Sequence, residues 1–211
     1  MNDLLSKGYA INAALNLVGN HYRLNKRQQD ALRRATASVQ QINSIKANEI
    51  GESDVKGKTI LIDGFNLIIS LESALSGAYI FKCADSSFRD LSGVHGTYKR
   101  VKQTNNALML IGEALNFLKP EKVVWILDKP VSNSGRLKTI IQEIALENNT
   151  SWEVILDNNP DTYIVNKSEI AISADGWIIE QVNWFNLAGY IIENKITEAE
   201  IFDFNKIANG K

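Results

Sequence analysis

The chain has 211 residues, of which 45% are hydrophobic and 22% are charged, and this balance excludes a disordered polypeptide and indicates a globular one. No apolar stretch reaches the roughly 20 residues that a membrane-spanning helix needs, and the first residues lack the layout of a secretory signal. A single cysteine, Cys83, excludes an internal disulfide bond. A lone cysteine is typical of the reducing cytoplasm, and Cys83 is expected to be a packed thiol without a chemical role.

The net charge of −1 hides an uneven distribution along the chain. Residues 1–60 contain nine Lys and Arg against five Asp and Glu, a net +4, which leaves −5 for residues 61–211. A basic first part on an acidic remainder predicts that the first part contacts an anionic polymer and that the remainder holds a cation.

Residues 1 to about 45 have a helical spacing of apolar residues, interrupted at Gly8 and Gly19. Asn25 is predicted to cap the next helix. The apolar stripe of that helix consists of Leu32, Ala35, Val39 and Ile42. Basic residues lie close by: His21, Arg23, Lys26, Arg27, Arg33 and Arg34. They form either a solvated helix face or a phosphate-contacting patch, and a helical domain is predicted over residues 1–50.

Residues 46–58 are poor in apolar residues and are predicted to be a linker. From residue 59 to residue 211, strand and helix patterns alternate. This alternation predicts an α/β domain built as a three-layer α/β/α sandwich with a mainly parallel sheet. The predicted strands are 59–63, 78–83, 123–128, 152–156 and 170–174. The predicted helices are 67–77, 104–118, 135–148, a short one from 161, and one continuous helix from about 176 to 191.

Four of the apolar runs end in an aspartate, namely Asp63, Asp128, Asp157 and Asp175, and Asp161 lies just past the third run. The carboxyl ends of parallel strands share one edge of a sheet, where ligands of α/β proteins bind. The aspartates are therefore expected to lie close together, with Asp157 as a neighbour of the site. Crowded carboxylates repel one another, so such a cluster usually holds a divalent cation.

Other residues are candidates for contacts with a substrate. Asn66 follows Asp63 by three residues, and Ser132, Asn133 and Ser134 precede a helix that they either cap or use to cradle a phosphate. Basic residues that either guide a nucleic-acid strand or are scattered on the surface are Arg89, Lys99, Arg100 and Arg136. His95 is expected to make a structural hydrogen bond, with a role as an acid or base as the alternative. The tryptophans Trp125, Trp152, Trp177 and Trp184 are expected in the core, with an exposed stacking platform as the alternative.

Several motifs resemble the NYN branch of the PIN-like nucleases. The segment Ile62-Asp63-Gly64-Phe65-Asn66-Leu67 is similar to the opening motif of that branch, and Trp125-Ile126-Leu127-Asp128 is similar to its second aspartate motif. Pro160-Asp161 and Ser173-Ala174-Asp175 resemble the two C-terminal acidic motifs. The helical first part, with Gly8-Tyr9 and residues 17–24, resembles the N-terminal domain of a prokaryotic family that carries such a nuclease half.

The resemblance implies a ribonuclease that depends on Mg²⁺ or Mn²⁺ held by Asp63, Asp128, Asp161 and Asp175, with RNA as its substrate and a homodimer as a plausible assembly. The family also places an acid in the middle of the motif series. Candidates for that position are Glu72, Asp85, Asp90 and Glu113, and Asp90 is preferred as a metal ligand because it lies in the polar segment 84–100.

Two other function classes compete with the ribonuclease. A non-catalytic RNA-binding protein, or a member of an RNA-processing complex, would keep the fold and part of the acidic cluster. A phosphatase with an aspartyl nucleophile would need a second acid two residues after the first, and Phe65 occupies that position. The glycine-rich loops of nucleotide-binding proteins do not occur.

Overall fold

The computed structural model describes residues 1–92, 98, 102–148 and 150–209, the side chains of 207–209 excepted. The chain begins with five helices: α1 Asn2–Ser6, α2 Ile11–His21, α3 Lys26–Ala35, α4 Val39–Asn48 and α5 Glu52–Val55. Asn25 caps α3 as predicted, since its side chain accepts a hydrogen bond from the backbone N–H of Gln28 at 3.0 Å.

The single helix predicted from Asn25 through Ile42 is wrong, because the chain breaks between Ala35 and Val39. Thr36 and Ser38 adopt extended backbone conformations, and the Ser38 hydroxyl accepts from the N–H of Gln41 as a new helix cap. The local capping geometry therefore outweighs the apolar periodicity that runs through the break.

The predicted linker 46–58 is also not a free connection, because it contains the end of α4 and all of α5. Main-chain hydrogen bonds tie it to the C-terminal part. The N–H of Trp184 donates to the carbonyl of Asn48, and the N–H of Ile50 donates to the carbonyl of Trp184, each at 3.0 Å. The first helices therefore pack onto the α/β part of the chain.

The remaining elements mostly alternate between strand and helix, as predicted, except for one pair of consecutive strands and one pair of consecutive helices. The strands are β1 Thr59–Asp63, β2 Ile80–Lys82, β3 Phe88–Arg89, β4 Lys122–Asp128, β5 Trp152–Asp157, β6 Ile170–Ile172 and β7 Ile201–Asp203. The helices are α6 Gly64–Leu75, α7 Thr104–Leu118, α8 Ser134–Glu147, α9 Pro160–Lys167, α10 Gly176–Ile179, α11 Leu187–Lys195 and α12 Phe204–Asn209. Among these residues, no helix combines the length and the apolar character needed to cross a membrane.

The main sheet has the strand order β5-β4-β1-β6, and all its pairings are parallel, which confirms the predicted α/β class. The predicted strand 78–83 is shorter than expected and belongs to a second sheet of order β3-β2-β7. In that sheet β2 pairs antiparallel with β3 and parallel with β7.

Alternate residues of the main sheet enter two separate cores. Ile60 and Ile62 of β1 pack with α6, α7, α8 and α11, while Leu61 packs with α9, α10 and Ile45 of α4. Helices therefore cover both faces of the sheet, as is usual for parallel sheets. Three of the four tryptophans lie in these cores as predicted.

The continuous helix predicted from about 176 to 191 is wrong. It is divided into α10 and α11 because the chain between them pairs with β6: the N–H of Ala171 donates to the carbonyl of Asn183, and the N–H of Phe185 donates to the carbonyl of Ala171. The side chain of Asn186 then caps α11 by accepting from the N–H of Gly189 at 3.0 Å.

Candidate functional site

Asp63 is the last residue of β1, and the chain turns into α6 directly after it. Gly64 permits this turn, because a Cβ atom there would lie 2.5 Å from Leu127 Cδ2 and 3.2 Å from the carbonyl oxygen of Ile126. The absence of a side chain at Gly64 lets α6 begin against β4. The turn therefore leaves Asp63 at the carboxyl edge of the sheet.

Hydrogen bonds join the end of β1 to the chain that follows β6. Asp63 is 8% exposed, and its Oδ2 accepts a hydrogen bond of 2.8 Å from the hydroxyl of Ser173. The same hydroxyl accepts from the N–H of Asp175 at 3.0 Å. Asn66 Oδ1 accepts from the N–H of Ala174 at 2.9 Å. These contacts position Asp63 and Asp175 relative to each other.

Four predicted aspartates line one cleft of about 870 Å³: Asp63, Asp128, Asp161 and Asp175. We call these four side chains the carboxylate edge. Asp128 is half-buried at the end of β4, and Asp161 is exposed in the first turn of α9, directly after Pro160. Asn66 also lines the cleft. Asp157 ends β5 but is not part of the described lining, and its Oδ1 accepts from the N–H of Asn159 at 2.8 Å.

Burial, with a smaller contribution from neighbouring negative charges, raises the pKa of two members of this edge, Asp63 and Asp161. Burial raises the pKa of Asp63 to about 7; the hydrogen bond from Ser173 opposes this rise, and the negative charges of Asp161 and Asp175 add to it. Burial also raises the pKa of Asp161, with further contributions from Asp175 and Asp128. A bound cation would relieve this mutual repulsion.

The donor chemistry of the carboxylate edge fits a hard divalent cation, because every candidate ligand is an oxygen atom. Within the described ranges, no group of three or more acidic, histidine or cysteine side chains is close enough to enclose a metal ion. Mg²⁺ commonly keeps several waters and binds through one or two carboxylates together with the phosphates of a substrate. The edge therefore fits an open Mg²⁺ or Mn²⁺ site rather than a closed protein cage.

The four candidates for the middle acid lie in different surroundings. Glu72 accepts hydrogen bonds from Tyr98 and Thr104, and Asp85 is bound by Arg89 and Ser87. Glu113 is exposed, and its Oε2 lies 3.9 Å from Lys195 Nζ.

Asp90, the preferred candidate, lines the cleft and is 5% exposed. Its Oδ2 accepts from the Ser70 hydroxyl at 2.9 Å, and its Oδ1 is buried with no hydrogen-bond partner among the described residues. A ligand in the cleft would reach this oxygen only through a rearrangement of the side chain, because the atom is shielded from solvent.

Arg89 lines the cleft, but its guanidinium is occupied by the protein itself. Its Nε donates to the carbonyl of Ala174 at 2.7 Å, and its two terminal nitrogens donate to the carbonyl of Arg34 and to Asp85 Oδ2. Arg89 thus joins α3, the second sheet and the chain after β6. Arg89 is therefore a structural residue that connects three segments around the cleft.

Ser132, Asn133 and Ser134 do not belong to the described lining of the cleft. Asn133 Nδ2 donates to the carbonyl of Tyr98 at 2.8 Å, and the side chain makes no cap for α8. The hydroxyl of Ser134 donates to the carbonyl of Lys129 at 3.4 Å. Arg136 is exposed away from the cleft, while His95, Lys99 and Arg100 lie outside the described residues.

One wall of the cleft was not predicted from the sequence. The N-terminal helices supply it with Leu5, Tyr9, Ile11, Arg33, Arg34 and Gln41, among others. Arg34 Nη1 donates to the carbonyl of Asp90 at 2.8 Å, which joins this wall to the acidic side. The basic composition of residues 1–60 was the available signal, but the sequence did not indicate which of the arginines would face the aspartates.

Comparisons with known proteins extend over most of the chain. Residues 52–190 match the family described as Domain of unknown function (DUF5616), and residues 1–48 match Protein of unknown function (DUF434). The chain is 37% identical over 180 residues to Uncharacterized protein MJ0935 of Methanocaldococcus jannaschii. The aligned residues make up 85% of this chain and 86% of that protein. No solved structure matches the chain significantly. The chain belongs to the DUF5616 family.

Proposed function

We propose that the protein is a divalent-metal-dependent ribonuclease that hydrolyses phosphodiester bonds in the cleft at the carboxylate edge. The observation that carries the proposal is that Asp63, Asp128, Asp161 and Asp175, from four separate parts of the sheet edge, line one cleft whose lining also includes Arg33 and Arg34 of α3. The resemblance of the aspartate motifs to PIN-like nucleases supports the same function.

In this proposal Asp63 and Asp175 hold Mg²⁺ or Mn²⁺, and Asp90 Oδ1 is a further candidate ligand. When bound, the cation supplies Lewis-acid stabilisation of the charge that develops on the scissile phosphate. Asp128 and Asp161 orient the attacking water by accepting its hydrogen bonds. Asn66 is already held by the N–H of Ala174 and is expected to position the substrate or a ligand from that fixed place.

The N-terminal helices contribute positively charged arginine side chains to the cleft. Arg33 is exposed and lines the cleft, where it can contact phosphates along a nucleic-acid strand. Its Nη2 also donates to Asn12 Oδ1 at 2.8 Å, which holds the guanidinium at the surface of α3. An RNA strand with one phosphate at Arg33 and another at the cation would lie across the carboxylate edge.

A second candidate function is that of an RNA-binding protein without catalysis. The observation in its favour is that no described group of three potential ligands forms a compact metal site. Such a protein would bind RNA through the arginines of the cleft but would not hold the cation tightly enough for hydrolysis.

Labelled single-stranded RNA distinguishes the two functions. The purified protein is incubated with the RNA in Mg²⁺, in Mn²⁺ and in EDTA, and both bound and cleaved RNA are measured. The ribonuclease proposal predicts cleavage that EDTA abolishes. Binding without cleavage in either metal would favour the non-catalytic protein.

A further inference from the structure

Trp177 differs from the other tryptophans of the chain in its exposure. Trp125 and Trp184 are completely buried and Trp152 is 7% exposed, whereas Trp177 is 50% exposed. The sequence placed Trp177 in the core, and this prediction is wrong. A half-exposed indole contributes less apolar burial to stability than its size allows, and it offers a ring surface to a ligand.

The backbone of Trp177 is held beside the carboxylate edge. Trp177 lines the cleft, and its backbone N–H donates to Asp175 Oδ1 at 2.8 Å. Its carbonyl oxygen accepts from Gln181 Nε2 at 2.6 Å. The backbone that carries the ring therefore makes two hydrogen bonds, one of which it donates to a proposed metal ligand.

A second exposed aromatic residue lines the same cleft from the N-terminal helices. Tyr9 is 52% exposed and lies between α1 and α2, and the exposed Arg33 belongs to the same lining. The cleft thus combines carboxylates, arginines and exposed aromatic rings. Proteins that bind single-stranded nucleic acid use positive charge for the backbone and aromatic side chains on which successive bases stack.

We propose that Trp177 is a base-stacking platform that makes the cleft selective for single-stranded RNA. The inference rests on the proposed function and names its substrate class. Bases in a duplex are stacked on each other, so their faces are not accessible to the indole, whereas an unpaired nucleotide can stack on it. The stacked nucleotide would lie beside the scissile phosphate because Trp177 is two residues from Asp175.

The test measures binding in EDTA, so that hydrolysis does not interfere. Dissociation constants for a short labelled single-stranded RNA are compared among the wild type, Trp177→Ala and Trp177→Phe. The Ala variant is expected to bind roughly 5- to 150-fold more weakly, the range that corresponds to loss of one stacked base. The Phe variant keeps a ring and should recover much of the affinity. Binding of a blunt RNA duplex should change little.

Tyr22→Ala is the matched control, because Tyr22 is a 68% exposed aromatic residue that is not part of the described cleft lining. It should bind single-stranded RNA as the wild type does. Equal losses in Tyr22→Ala and Trp177→Ala would overturn the inference, as would unchanged affinity in Trp177→Ala.

A series of RNAs that each lack one base locates the stacked nucleotide. In the wild type, removal of that base should weaken binding as much as Trp177→Ala does, and in the variant the same removal should cost nothing further. If removal of a base weakened binding by the same factor in the wild type and in Trp177→Ala at every position, no base would stack on Trp177.

The outcome for stacking is separate from the outcome for catalysis. RNA cleavage by a Trp177→Ala variant that binds like the wild type would overturn stacking and leave the ribonuclease standing. A non-additive loss of binding in a protein that cleaves nothing in Mg²⁺ or Mn²⁺ would establish stacking and overturn the ribonuclease.

Discussion

The hydroxyl of Ser173 donates a hydrogen bond of 2.8 Å to Asp63 Oδ2 and thereby joins the chain after β6 to the end of β1. The hydroxyl oxygen of Ser173 also accepts a hydrogen bond from the N–H of Asp175. One small side chain therefore helps to hold the most buried member of the carboxylate edge, and its hydrogen bond opposes the rise in pKa that burial causes. This relationship makes Ser173 a sensitive place to test the site without removing a proposed ligand.

Ser173→Ala is expected to move the pH dependence of cleavage. The hydrogen bond from Ser173 lowers the pKa of Asp63, so its loss should raise that pKa above about 7. Proton and cation compete for the carboxylate, and the acidic limb of the rate profile should therefore shift to higher pH by roughly one unit. Rates measured from pH 5 to 9 check this. Ser132→Ala, outside the described cleft, is the control, and equal profiles for the two variants would contradict the assignment.

Stability without a divalent cation should fall as the pH rises from about 4 to about 7. The pKa of Asp63 is raised from 3.8 to about 7 in the folded protein. Between these values the folded state holds a proton that the unfolded state has lost, so the free energy of unfolding decreases with pH, by at most about 4 kcal/mol for this group. Urea unfolding in EDTA across this range measures the slope.

Two comparisons separate Asp63 from other groups. Asp63→Asn should flatten the slope and be at least as stable as the wild type above pH 7, because it removes a buried negative charge. Addition of Mg²⁺ to the wild type should restore stability above pH 7 and have less effect near pH 5. The same slope in Asp63→Asn and the wild type would show that Asp63 does not titrate in this window.

Arg33→Ala is expected to weaken RNA binding uniformly across sequences, since an arginine that contacts phosphate carries no base information. The salt dependence of the affinity should decrease by about one unit of slope. Binding titrations in EDTA at several salt concentrations provide the measurement. Arg136→Ala serves as the control, because Arg136 is exposed on α8 and is not in the described cleft lining. A slope that changes in Arg136→Ala and not in Arg33→Ala would place the RNA on another surface.

Arg89→Ala is expected to destabilise the fold by about 3–5 kcal/mol, because it leaves Asp85 buried without its ion-pair partner. The Asp85 side chain is 2% exposed, and Arg89 Nη2 lies 2.7 Å from Asp85 Oδ2. Lys122→Ala breaks a surface ion pair with Glu153 and should cost at most about 1 kcal/mol. Urea unfolding of both variants makes the comparison. Wild-type stability in Arg89→Ala would favour a substrate-binding role instead.

The strands and their terminal aspartates could be predicted from the sequence because their signals are local. A short β-rich run buried on both faces, as in Ile60 to Ile62, is recognisable without knowledge of its neighbours. The parallel order then brings the aspartates to one edge through a general rule of topology. That part of the site could be predicted without knowledge of contacts between distant segments.

The remaining parts depend on contacts between distant segments. The break before Val39 and the division at Trp184 follow from a cap and from strand-like pairing that override apolar periodicity. The exposure of Trp177 could not be predicted from an apolar run, since its neighbours Ile178 and Ile179 are indeed buried. The wall that carries Tyr9 exists only because the N-terminal helices pack against the α/β part.

The single-turnover cleavage rate of Asp63→Asn, measured beside that of Asp157→Asn, tests whether the carboxylate edge hydrolyses RNA. Both residues are the last residues of strands in the same parallel sheet, but only Asp63 belongs to the described lining of the cleft. We expect the wild type and Asp157→Asn to cleave single-stranded RNA in Mg²⁺ at similar rates, and Asp63→Asn to be slower by roughly 100-fold or more. Undiminished cleavage by Asp63→Asn would contradict hydrolysis at the carboxylate edge.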